Sequence, residues 1–134
     1  PILSSDHAPH TIEEKQSDNP PSGLPGVETM IPLMLNEVSE GHLELGRLVN
    51  AMSEAPAKRL GLERGKISEG QTADLIMVDM KNSKPIDLDK LHSRSNWTPF
   101  QNWSAIFPSQ VYRRGELIAE NGEIKHEGGG QNLF

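Results

Sequence analysis

Apolar residues recur at three- and four-residue spacing through the first half of the chain. Val27, Met30, Ile31, Met34, Leu35 and Val38 form one stripe. The stripe predicts a helix from Val27 to about Glu40, with Pro32 in its first turns and Gly41 as its C-cap. A second helix is expected from Leu43 to about Ser53, with Leu45, Leu48, Val49 and Met52 on one face. A third, short helix follows at 55–60, opened by Pro56 at an early position and stopped by Gly61. Beyond Gly61 the period changes. "GKISEGQTADLIMVDM" reads as two strand-like pieces separated by Gly70, and "DLIMVDM" is the β-rich one. Residues 81–108 have no clear period and predict an extended loop. "SQVYRRGELIAENGEIKHE" predicts a hairpin and a further strand, with turns at Arg114-Gly115 and Asn121-Gly122. The tail "GGGQNLF" is expected to be mobile.

The N-terminal region has a different pattern. Residues 1–5 read as the C-terminal tip of a buried strand. Residues 6–26 are rich in Pro, Gly, Ser and Asn and predict a long loop. One helical turn is expected inside it at Thr11–Lys15, with Thr11 as N-cap and Glu14 at the capping-box position. The order is thus strand tip, loop, three helices and an all-β tail, which makes the chain α/β.

Composition sharpens this picture. The hydrophobic fraction is 34%, below the roughly 45–50% of an ordinary domain, so a core built from these 134 residues alone is expected to be thin. A buried strand tip with no neighbours upstream points the same way, to the C-terminal part of a larger protein. The formal net charge of −6 argues against nucleic acid as a partner. No apolar run approaches the roughly 18–20 residues of a membrane span, so no membrane partner is expected. There is no cysteine, which removes disulfides and thiolate metal ligands and is compatible with a cytoplasmic location.

The chemistry concentrates in "SSDHAPH", residues 4–10. Asp6 stands where a strand hands over to a loop, the place from which catalytic groups project in parallel β/α architectures. A carboxylate there can ligate a metal and act as a base on water. His10, four residues on, can hold an anionic group, and Pro9 stiffens the link. Gly23 and Gly26 permit the backbone to approach a ligand closely. The plainer readings are that Asp6 is a turn or cap residue and that a single loop histidine, His7 included, lies at the surface. Asp74 and Asp79 read as strand-end residues, and His42, His92 and His126 as structural ones. The chain contains no H-x-H, H-E-x-x-H or P-loop motif.

"SSDHAPHTIEEK" followed by "SGLPGVETMIPLML" resembles the C-terminal signature of the dihydroorotases, within the cyclic amidohydrolase superfamily. The likeness continues through "SEAPAKRLGLERGKISEGQTADLIMVDM", "NWTPFQNW" and "GELIAENGEI". The Ala-Pro-His ending favours dihydroorotases over allantoinases and hydantoinases. The resemblance implies a metal-dependent (β/α)8 barrel with a small β-sandwich attached. Residues 1–61 would be the C-terminal part of the barrel, with 1–5 as its last strand, the active-site loop and helices. Residues 62–134 would be strands of the sandwich and the tail. It also implies reversible hydrolysis of L-dihydroorotate to N-carbamoyl-L-aspartate in pyrimidine biosynthesis. Asp6 would be a zinc ligand and general base. His10 would hold the substrate carboxylate, and the backbone around Ser22-Gly23 would contact the substrate ring. The remaining metal ligands would lie outside this chain, so the chain alone is expected to be inactive. Its implied partners are the missing N-terminal part of the same enzyme, a second copy, or an aspartate carbamoyltransferase. A scaffold protein that has lost catalysis is the alternative from a different class. "SEAPA" departs from the family's more usual "NPA", a change expected to affect packing more than catalysis.

Overall fold

The computed structural model describes residues 1–133. By contact the chain divides into two units, neither contiguous in sequence. One comprises residues 4–42 and 80–107; the other comprises residues 1–3, 43–79 and the chain from Pro108 onward.

In the first unit, Thr11 opens a one-turn helix α1 (Ile12–Lys15). Its hydroxyl accepts from the Glu14 N–H, and Glu14 reaches back to the Thr11 N–H, the reciprocal capping expected from the sequence. Helix α2 (Val27–Ser39) follows. It closes on Gly41 at φ 80°, with His42 N–H donating to Glu37 O and Gly41 N–H to Val38 O. This paired closure needs a left-handed residue, and glycine adopts it without a Cβ clash. The buried face of α2 differs from the expected stripe. Thr29, Pro32, Leu35 and Asn36 are buried, whereas Val27 is 56% exposed. The reason is what packs there. Strands β2 (Lys84–Pro85) and β3 (Ser104–Ala105) pair antiparallel within the segment expected to be a loop. Ile106 N–H donates to the Pro32 carbonyl, and Ser83 to Asn36 Oδ1 at 2.6 Å. Ile86, Ala105 and Ile106, all fully buried, make the core of this unit with Leu35.

In the second unit, α3 (Leu45–Val49), a π-helical turn (Asn50–Glu54) and α4 (Ala55–Arg59) are continuous. The two helices expected here are therefore one. Pro56 is an interior residue, not an opening one, and the wide turn just before it relieves the clash and the missing hydrogen bond that proline brings to a helix. The helix ends on Gly61 at φ 70°, with Leu62 N–H donating to Ala57 O and Gly61 N–H to Lys58 O.

A four-stranded antiparallel sheet follows, in the order β1 (Leu75–Met77), β4 (Gln110–Arg113), β5 (Glu116–Glu120), β6 (Glu123–Ile124). Both expected hairpin turns form, with positive φ at Arg114 and Gly115 and again at Asn121 and Gly122, the geometry whose twist matches the strands it joins. The piece before Gly70 is not a strand, and Ile67 is 89% exposed. The tail is tied down at its start: Gly128 O and Gly129 O accept from the Arg113 and Arg114 guanidinium groups. Phe134, the last residue of the expected mobile tail, lies outside the described residues. Leu48 and Ala57 are the buried apolar side chains on the helix of this unit.

Candidate functional site

Residues 1–5 form no strand; Asp6 follows in an exposed loop. A strand exists only by pairing, and within the described chain the hydrogen bond recorded here is Leu3 N–H to Ala51 O at 3.1 Å. Asp6 itself has φ 46°, the left-handed region that a residue with a Cβ seldom occupies.

From Asp6 onward, two segments distant in sequence run side by side. His7 and Leu24 form a parallel bridge, and Ala8 N–H donates to Leu24 O at 3.1 Å. Gly23 sits so close to Ala8 that a Cβ on it would lie 2.5 Å from the Ala8 Cβ. Gly26 packs likewise on the Ser5 carbonyl, where a Cβ would approach to 3.2 Å. At Gly23 and Gly26 the neighbour in close approach is the Ser5–Ala8 stretch of the chain itself. Lys15 closes the loop between the segments by donating to Pro21 O at 2.7 Å and to Gly23 O at 3.0 Å. The structure therefore brings the Asp6–His10 stretch alongside Ser22 and Gly23.

His10 is half-buried. Its Nδ1 lies 3.4 Å from Glu14 Oε2, and its carbonyl accepts the Trp97 indole N–H at 2.7 Å. The segment carrying Trp97 is anchored at the start of α2, where Glu28 accepts from the His92 backbone N–H and lies 2.6 Å from His92 Nδ1. His7 is exposed, as expected of a loop histidine, and its Nδ1 accepts from the N–H groups of Gly26 and Val27. Residue-by-residue reading missed Lys15, Trp97 and this role of His7. One sequence signal was present: Gly26 heads a helix with no side chain to cap it, so an acceptor must come from elsewhere.

Asp74 does more than end a strand. Its two carboxylate oxygens accept from Arg64 Nη1 and from the Arg114 N–H, each at 2.9 Å. Among the described residues no three His, Asp or Glu side chains converge as a metal site needs.

Residues 2–118 match the amidohydrolase family. The chain belongs to that family. Several curated relatives of this amidohydrolase chain are dihydroorotases. That of Archaeoglobus fulgidus is 42% identical over 121 residues, covering 90% of this chain and 30% of its own length. That of Methanosarcina acetivorans is 46% identical over 122 residues, covering 87% and 26%. Among solved structures, a D-hydantoinase (dihydropyrimidinase) from Thermus sp. superposes with a TM-score of 0.86 at 29% identity, over 94% of this chain and 30% of that one. An L-hydantoinase (dihydropyrimidinase) from Arthrobacter aurescens gives 0.74 at 35% identity, over 79% and 24%. The amidohydrolase chain thus spans about 30% of the length of the curated relatives it matches. Among the described residues, no helix is long and apolar enough to cross a membrane.

Proposed function

We propose that this chain is the C-terminal part of a dihydroorotase, which reversibly hydrolyses L-dihydroorotate to N-carbamoyl-L-aspartate. The observation that carries the reading is the juxtaposition of Asp6–His10 with Ser22-Gly23 through the His7–Leu24 bridge. On this reading the loop pair carries the acid/base carboxylate Asp6, the anion donor His10 and the Ser22-Gly23 backbone. Identity to dihydroorotases of 38–46% over about nine-tenths of the chain supports the same reading.

In this reading residues 1–61 belong to a metal-dependent (β/α)8 barrel, and residues from 62 onward to a small β-sandwich. The β1 edge of the sheet is then an edge that further strands complete, and apolar residues exposed on it, Ile76 and Met77, become covered. A zinc ion held by Asp6 together with ligands from outside this chain would supply Lewis acidity. Ring opening adds water across the ring amide: a C–O bond forms, the ring C–N bond breaks, and the nitrogen leaves with a proton. Asp6 takes a proton from the water and returns it to the departing nitrogen. In the reverse direction Asp6 donates. His10 holds the exocyclic carboxylate, and the Ser22-Gly23 backbone contacts the ring. A second copy or an aspartate carbamoyltransferase is the protein partner that the resemblance implies.

The hydantoinase reading rests on the solved structures. Against it stand the dihydroorotase relatives and the final His10 of the motif. The deciding experiment assays the complete polypeptide that carries these residues with dihydroorotate, hydantoin and allantoin. Turnover of dihydroorotate is expected, and Asp6→Asn should reduce it by about a thousandfold or more with the fold retained. Turnover of hydantoin or allantoin alone would overturn the substrate assignment. Turnover of none would favour the scaffold reading. The 134-residue chain by itself should neither bind stoichiometric zinc nor hydrolyse dihydroorotate.

A further inference from the structure

His7 follows Asp6 directly, and its ring faces the start of α2. Nδ1 lies 3.1 Å from the Gly26 nitrogen and 3.2 Å from the Val27 nitrogen. Both partners are backbone N–H donors, so Nδ1 accepts from both and carries no proton. The ring proton of the neutral side chain is therefore on Nε2. Gly26 is the residue that would ordinarily supply a capping oxygen, and it has none. His7 supplies the acceptor from nineteen residues upstream.

Two neighbouring contacts hold the same pair of segments together: the His7–Leu24 bridge, which includes the Ala8 N–H to Leu24 O bond, and the packing of Gly23 on Ala8. Asp6 is the residue immediately before this clasp, and its φ of 46° persists only if the surroundings enforce it. A neutral ring suits the place. An Asp cap at position 7 would accept the same hydrogen bonds but set a second negative charge beside the Asp6 carboxylate.

We propose that His7 is a positioning residue. As an Nε2-protonated ring it locks the Asp6 backbone against the segment 22–27, so that Asp6 and Ser22-Gly23 keep one fixed relation. The proposal rests on the dihydroorotase reading only for what those residues do; the clasp is a matter of hydrogen bonds.

The test compares the ¹⁵N-labelled chain with its His7→Asn, His7→Gln and His7→Ala variants at one neutral pH. Asn sets an acceptor where Nδ1 lies; Gln sets one where Nε2 lies. The parent should show a ring protonated at Nε2 alone. Amide exchange at Gly26 and Val27 should quicken about tenfold in the Ala and Gln variants and stay within about twofold of the parent in the Asn variant. The resonances of Asp6, Ser22 and Gly23 should move with the loss and return with the rescue. A proton on Nδ1, or exchange unaffected by His7→Ala, would overturn the clasp. Faster exchange at Gly26 and Val27 with Asp6, Ser22 and Gly23 unmoved would reduce His7 to a helix cap. If the Ala variant fails to fold, equal behaviour of the Asn and Gln variants would sink the proposal. In the complete polypeptide, His7→Ala should lower kcat about a hundredfold with a smaller change in KM, and His7→Asn should recover most of it. Unchanged kcat would refute positioning. A parent without dihydroorotate turnover would refute the functional reading instead, while the amide data would still decide the clasp.

Discussion

Gly23 has φ 107° and lies against Ala8, so two separate constraints exclude a side chain there. An added Cβ would meet the Ala8 carbonyl oxygen at 2.7 Å, and that oxygen is backbone and cannot swing away. Gly23→Ala should therefore destabilise the chain by about 2 kcal/mol or more, read from chemical denaturation, and shift the Ala8 and Leu24 amide signals. At this scale the sequence was informative about residue type. Asp6, His10 and Gly23 were singled out from order and chemistry and Ser22 from the family resemblance, and the fold runs the segment 7–8 beside 23–24. His7 was not legible. His7 is exposed, and whether an exposed imidazole also caps a helix depends on donors nineteen and twenty residues away.

Helix ends and tight turns were read well because their causes are local. Thr11 with Glu14, Gly41, Arg114-Gly115 and Asn121-Gly122 each encode a backbone conformation within a few residues. The merging of two helices at the π turn was not read, because Pro56 can open a helix or be absorbed within one. Gly65 packs against that turn at φ 91°, where a Cβ would come 2.6 Å from the Ser53 carbonyl. Gly65→Ala should cost about 2 kcal/mol, and circular dichroism should report the loss in the helix it supports.

At the β5–β6 end, Lys125 Nζ donates to Glu123 Oε2 at 2.9 Å. That hydrogen bond, helped by the Lys125 charge, holds the Glu123 carboxyl below the usual glutamate range. The same bond, with the charges of Glu123 and Glu120, holds Lys125 above the usual lysine range. A lowered acid contributes stability above its unfolded pKa and loses it as pH falls through the folded value. A raised base contributes below its unfolded pKa and loses it as pH rises through the folded one. The pair should thus support the hairpin across neutral pH and release it at both extremes. Lys125→Met should raise the Glu123 midpoint toward the usual range in a carboxyl-detected NMR titration.

Over the whole molecule the apolar accounting stays lean. Among the described residues the buried apolar core, prolines aside, is Leu35, Leu48, Ala57, Ile86, Ala105 and Ile106. Ile2, Leu24, Val27, Leu45, Ile76 and Met77 are among those left exposed. If the chain is part of a dihydroorotase, these residues are covered in the complete polypeptide. An apolar fluorescent dye should then bind the 134-residue chain and not the complete polypeptide, and equal binding would count against that assignment.

The sequence by itself determined the α/β class, the ends of α1 and α2 and the two hairpin turns. Periodicity, capping residues and turn glycines act over a few positions, so they survive without knowledge of the rest. The tertiary structure alone decided which face of α2 is buried, because Ser83 and Ile106, at the ends of β2 and β3, bond to Asn36 and Pro32, and part of the apolar stripe stays open. It alone decided that residues 1–5 are not a strand, since pairing is a relation between segments. And it alone gave His7 its partners, because a hydrogen bond reaching from the Asp6 loop to the head of α2 is written in distance and not in spacing.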